Sequence, residues 1–191
     1  MADSKVRFGL KQAYYAIMKE DGTFDPPVRM IGAQSVNISN AGGDVQSIYG
    51  DDQALYTHSQ GSSGKTLEVQ FAKMGRDFLK DVCGMVVDET TGIVSESPDD
   101  KGKAFAFGYE TTGDQGGIRC WVLENTATVP VYNAGTNNDS ITEDPDTSTF
   151  TAVPHTCADN KQRVSCFCEA GDAAFADFFK AVPTFATPSK P

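Results

Sequence analysis

Several short runs carry residue types that do chemistry in other proteins. Ser63-Gly64-Lys65-Thr66 has the ending of a phosphate-binding loop. Such a loop also needs a glycine five residues before Gly64 and a helix after the threonine, so that backbone amides converge on phosphate. Position 59 is serine, and Thr66-Leu67-Glu68-Val69-Gln70-Phe71 alternates like a half-buried strand. A hairpin turn is the better account. Cys166-Phe167-Cys168 puts two thiols on one strand face, with His155 and Cys157 nearby in sequence. Structural zinc usually sits on a Cys-x-x-Cys turn instead, so buried, apolar thiols are expected. His58 and His155 lie in polar runs without a nucleophile motif. Glu143-Asp144-x-Asp146 lacks the glycine and terminal glutamate of a helix–loop–helix calcium site. The reading is a protein that is not an enzyme, with no cofactor and no metal.

Charge points the same way. The chain of 191 residues carries 26 acidic and 16 basic residues, a net charge of −10. Tight nucleic-acid binding is built from Lys and Arg on phosphates, so that class is disfavoured. From Cys120 to Asn160 there is no Lys or Arg, but there are Glu124, Asp139, Glu143, Asp144, Asp146 and Asp159. The stretch from Met30 to Gly64 also lacks both and contains Asp44, Asp51 and Asp52. With 39% hydrophobic and 22% charged residues, the composition is globular, and the length suits one domain over 1–191. The five cysteines fit no disulfide scaffold. No signal-peptide core or bilayer-spanning run is present. Free thiols in a reducing cytoplasm are expected.

The elements that must position these residues are mostly strands. Phe105, Phe107 and Tyr109 alternate with small residues, and Cys120-Trp121-Val122-Leu123 has apolar residues on both faces. Val36–Ser39, Thr147–Val153 and Gln162–Cys168 read as further strands, and Val129-Pro130-Val131 as an edge strand or strand end. Helical spacing covers Arg76–Cys83, with Phe78, Leu79 and Val82 on one face and Gly84 as the stop. It recurs over Asp172–Val182, with Phe175, Phe178, Phe179 and Val182 on one face, Asp172 as N-cap and Pro183 as the end. Asn40–Gly64, Val87–Lys103 and Asn133–Asp146 read as long polar connections, and 183–191 as a loose tail. The fold class is mainly β, an antiparallel sandwich or partial barrel with one or two short flanking α-helices and long loops.

An ordered series of matches runs through the chain: Lys5-Val6-Arg7-Phe8-Gly9-Leu10-Lys11, Ala13-Tyr14-Tyr15-Ala16-Ile17, Ile31-Gly32-Ala33, Tyr49-Gly50-Asp51-Asp52, Gly61 to Val69, Phe105 to Glu110, Asp146 to Pro154 and Asp177 to Val182. This order resembles the major tail proteins of long-tailed, non-contractile bacteriophages, the subunits of the tail tube. The resemblance implies a virion protein assembled in the bacterial cytoplasm into stacked rings, usually of six, around a hollow bore. Its partners would be further copies of itself, the tape measure, the tail tip and the tail terminator. Double-stranded DNA would pass without tight binding, and no membrane is involved. The resemblance makes the 40–64 segment an inter-subunit loop, with Tyr49, Asp51, Asp52, Leu55 and Tyr56 as contacts, and sets Lys5–Lys11 near an interface. Asp44, Asp139, Glu143, Asp144 and Asp146 become candidates for an acidic lumen. The cysteines between 157 and 168 fall outside the family pattern.

A rival in another class is a monomeric β-sandwich module that binds carbohydrate or another surface. Its mark would be exposed aromatics on one sheet face, for which Trp121 and Tyr132 are the candidates.

Overall fold

A computed structural model of the chain describes residues 5–42, 45–50, 53–59, 63–136 and 143–185, with 45–50 and 54–59 described by backbone pairing alone. In chain order the strands are β1 (Arg7–Ile17), β2 (Val28–Met30), β3 (Ala33–Ala41), β4 (Val45–Gly50), β5 (Gln53–Ser59) and β6 (Gly64–Phe71). After the helix α1 (Arg76–Asp81) come β7 (Val86–Val87), β8 (Val94–Ser95), β9 (Phe105–Gly113), β10 (Gly116–Ala127), β11 (Asp146–Ala152), β12 (His155–Thr156), β13 (Gln162–Arg163) and β14 (Ser165–Glu169). The main sheet runs β2-β1-β9-β10-β11-β6-β3, antiparallel throughout, with β14 added beside β10. It curls until β1 and β3 pack against each other, without closing a barrel. The mainly-β expectation holds.

Strand β10 organises the molecule because it forks. Ile118–Val122 pairs with β14, and Asn125–Ala127 pairs with β11. The switch needs a break in register, which falls between Val122 and Asn125 in the β9 ladder. Glu124 takes a positive φ of 43° there. The buried Asn125 side chain holds the break by donating to the carbonyls of Phe105 and Val122 at 3.1 and 2.7 Å. Trp121, Val122 and Leu123 are all fully buried, because the two faces of β10 serve two cores.

The first core lies inside the curl. Leu67, Val69 and Phe71 of β6 face Phe105, Phe107, Tyr15, Val122 and Phe150, and Phe78 of α1 caps them. Edge-to-face contacts join Phe105 to Phe78 and Phe150 at 5.9 and 5.1 Å, a favoured aromatic geometry. The helix is seated by Asp146, whose Oδ2 accepts the Met74 amide at 2.7 Å. Gly84, at φ +78°, follows the helical segment. The second core lies on the outer face of β9 and β10, where Trp121 covers Gly108. A Cβ on Gly108 would sit 2.8 Å from the indole, so only glycine lets the ring lie flat on the strand.

Two expectations change. The Asp172–Val182 stripe is not an α-helix; it is a chain of turns with a 3-10 segment at Phe175–Asp177. The reason is competition for carbonyls. Trp121 Nε1 donates to the Phe178 carbonyl at 2.8 Å, and Arg119 Nη1 donates to that of Phe175. These acceptors would otherwise serve α-helical amides. Asp172 accepts the Glu169 amide at 2.8 Å rather than capping a helix. The second change lies within Asn40–Gly64. β3 extends to Ala41, and β4 and β5 form a two-stranded hairpin that pairs Gly50 with Gln53.

Candidate assembly surface

The residues that might have done chemistry are built into the structure. His155 is buried, with Nδ1 3.0 Å from Glu124 Oε2 and its ring 5.1 Å from Phe24, and it ties β12 to the fork in β10. The side chain of His58 lies outside the described residues, although its backbone belongs to β5. Gly64 opens a strand, and Lys65 Nζ contacts Asn40 Oδ1 at 3.2 Å, so no helix receives a phosphate there. Burial raises the thiols of Cys83 and Cys168 to about 11 and that of Cys166 to about 12. Such thiols stay protonated and unreactive at neutral pH. Among the described residues no group of three or more His, Cys, Asp or Glu side chains is placed to hold a metal ion. Trp121 is fully buried while Tyr132 is 71% exposed, so the aromatic pair of the carbohydrate reading does not exist.

The strongest polar feature is internal. Arg119 Nε donates to Glu110 Oε2 at 2.7 Å, with both side chains largely buried. The guanidinium lies 4.1 Å from the Phe175 ring centre and 5.1 Å from that of Phe179. Phe179 also stacks on Tyr14 at 4.6 Å. This set clamps the C-terminal segment to the sheet, with Phe178 and Val182 buried and Phe175 and Phe179 half-buried. Sequence reading missed the ion pair. Its signal was the β9–β10 hairpin, whose register sets Glu110 opposite Arg119. On the first core, Phe78 and Val82 are buried and Leu79 is half-buried. Farther along, Asp159 accepts two hydrogen bonds from Arg163, each 2.7 Å, which hold its carboxyl down near 2. Arg163 also lies under Phe185, and Ala158 donates to the Thr184 carbonyl, so the chain remains attached beyond Pro183.

What remains at the surface is suited to association. β2 covers β1 only at Ala13–Tyr15, so among the described residues no strand is hydrogen-bonded to the outer side of Arg7–Gln12, although β3 packs near β1. The far edge of β3 is likewise unpaired among the described residues. Open edges are templates for another chain. Val6 and Phe8 are more than half exposed at the β1 edge. The outward face of β3–β6–β11 is a polar ladder. Register aligns Ser35 with Gln70 and Thr147, Asn37 with Glu68 and Thr149, and Ser39 with Thr66 and Thr151. Glu68 is the only charge among them.

The acidic candidates divide. Glu143 and Asp144 are exposed, the first accepting from Gln34 and the second from the Gly135 amide at 3.1 Å. Asp146 is half-buried and committed to Met74. Asp44 and Asp139 lie outside the described residues. Of the contact candidates, Asp51 and Asp52 also lie outside them, while Tyr49 falls in β4 and Leu55 and Tyr56 in β5 by backbone alone.

No curated protein matches the chain at a significant level. A family model described as phage tail tube protein matches residues 7–183, which takes in the first open edge, the forked strand and the clamped C-terminal segment. The chain belongs to the phage tail tube protein family.

Proposed function

We propose that this structural tail protein closes into rings, six subunits to a ring, which stack into the tube through which double-stranded DNA leaves the capsid. The observation that carries the reading is the curled but open sheet, with unpaired edges on β1 and β3. Ring closure satisfies both edges in every subunit, as closure of any sheet removes its edges. The polar ladder of β3–β6–β11 is then the wall that faces DNA. Its hydroxyls and amides offer weak, exchangeable contacts, and Glu68 repels phosphate. A Lys or Arg there would release counterions and hold the passing duplex. Glu143 and Asp144 add negative potential at the rim, effective only within the Debye length of about 8 Å at physiological salt. The β4–β5 hairpin makes contacts between subunits, with Tyr49, Asp51, Asp52, Leu55 and Tyr56 as its contact residues. The tape measure, tail tip and tail terminator set where stacking starts and stops, and assembly takes place in the host cytoplasm.

Electron microscopy of the concentrated protein tests this reading directly. Hollow tubes or six-fold rings are the expected result. A Glu68→Lys variant should still form tubes but slow genome release from reconstituted particles, more so at low salt. A protein that stays monomeric at every concentration, alone and with its tail partners, refutes the proposal.

A further inference from the structure

Charges of opposite sign are sorted onto two neighbouring surfaces beside α1. The first is a groove of about 530 Å³ between β2, the start of β3 and α1. Val28 and Ile31 line it, and Ile31 is 80% exposed. Arg29, Lys73 and Arg76 rim it, with Asp77 as the one acid. None of these three cations forms an ion pair among the described residues.

The second surface is the β7–β8 hairpin with the loop that follows it. Residues 86–100 contain Asp88, Glu89, Glu96, Asp99 and Asp100 and no Lys or Arg. Among the described residues only Glu89 of these five meets a cation, Lys80 at 3.4 Å on the surface. The hairpin turns Val94 onto the first core and leaves Val86 and Ile93 more than half exposed. The two surfaces adjoin. β7 packs against α1, and a Cβ on Gly92, between β7 and β8, would lie 3.1 Å from Arg76 Nη1. One patch therefore carries apolar side chains with cations on one side and apolar side chains with acids on the other. Placed against a copy of itself turned by half a revolution, each side of the patch meets its opposite.

We infer that two copies of this chain associate about a two-fold axis, the β7–β8 hairpin of each seated in the groove of the other. Val86 and Ile93 cover Val28 and Ile31, and Glu89 and Glu96 face Arg29, Lys73 and Arg76. A chain of net charge −10 otherwise repels its copies, so the sorted patch selects the one orientation in which unlike charges meet. The dimer itself goes beyond the tail-tube reading, and only its consequence for assembly rests on that reading. Neighbours in a ring closed through unlike edges all face the same way round. A two-fold pair cannot fill adjacent places there, so the dimer keeps subunits out of the ring until it separates.

Sedimentation velocity over a concentration series tests the pairing. Wild-type protein should form dimers that weaken as salt rises, because screening shortens the reach of these charges. Lys73→Glu with Arg76→Glu should raise the dimer dissociation constant by about tenfold or more and leave the melting temperature unchanged. Glu89→Lys with Glu96→Lys should do the same, and a chain carrying all four reversals should recover the dimer. As a second readout, a photo-crosslinking residue in place of Ile31 should capture residues 86–96 of the other copy, identified by mass spectrometry. A wild-type chain that is monomeric throughout, a dimer indifferent to the reversals, a four-fold variant without recovery, or crosslinks to any other segment overturns the inference and leaves the tail-tube reading in place. The groove-reversed chain should also enter tubes sooner than wild type, and equal rates would overturn the dimer's role in delaying assembly. A wild-type dimer that never yields ring or tube with its tail partners refutes the tail-tube reading while the two-fold contact stands.

Discussion

Replacing Arg119 by Met probes the clamp on the C-terminal segment. The change leaves Glu110 with one charge, 8% of its side chain exposed and its 2.7 Å partner gone. It also removes the donor to the Phe175 carbonyl and the cation above two rings. Breaking a buried pair by removing one partner costs about 3–5 kcal/mol. For a domain of this size each kcal/mol moves the melting temperature by about 2–4 °C, so a fall of about 6–20 °C is expected. Replacing both partners, Arg119→Met with Glu110→Leu, should recover most of that loss, because well-packed apolar groups often match a buried pair. Differential scanning calorimetry and denaturant titration at pH 7 measure both variants. Proteolysis should meanwhile release the segment after Glu169 in the single variant first. A single variant within about 1 kcal/mol of wild type, or a double variant as unstable as the single one, would show that the pair does not hold the clamp.

Three further outcomes follow from packing and titration. Gly108→Ala should cost about 1–3 kcal/mol by forcing the Trp121 ring off β9, visible as a lowered melting midpoint and a shifted tryptophan emission; unchanged fluorescence would contradict the contact. Cys83, Cys166 and Cys168 should alkylate only slowly at pH 8, because thiols near 11 and 12 are about 10⁻³ and 10⁻⁴ ionised there, and rapidly once guanidinium unfolds the chain; fast labelling of the native protein would contradict these raised values. The lowered carboxyl of Asp159 contributes stability that is present above its unfolded value of about 3.9 and is lost as pH falls through about 2. Asp159→Asn should flatten the stability profile in that window, and an identical profile would contradict the Arg163 pairing.

Strands were legible where the pattern is local. The alternation of Leu67, Val69 and Phe71 marks β6 without outside information, and the two-sided burial of β10 follows from Trp121, Val122 and Leu123 in succession. The C-terminal segment misleads because i, i+3, i+4, i+7 spacing reports which side is buried and not which donors reach the carbonyls. Those donors, on Arg119 and Trp121, lie more than fifty residues upstream. The fork in β10 depends on Asn125 and a positive φ at Glu124, which composition does not announce. The polar ladder was half visible in Thr66, Glu68 and Gln70, but it needed register to join β3 and β11 to it.

The pairing of β1 with β9 also sets a timetable. Arg7 finds its partner at Gly113, so the start of β1 waits for more than a hundred further residues to be made. At about 5–20 residues per second that delay is on the order of 5–20 s. β3 and β6 need far less chain between them and can zip earlier. The edge formed by Arg7–Gln12, with Phe8 beside it, stays without its native neighbour throughout. Its register is broken twice, between Phe8 and Leu10 and between Leu10 and Gln12. Irregular edges resist pairing with strangers. Once β9 is in place, those two irregularities leave the outer side of Arg7–Gln12 a poorer template for a foreign strand than a regular edge would be.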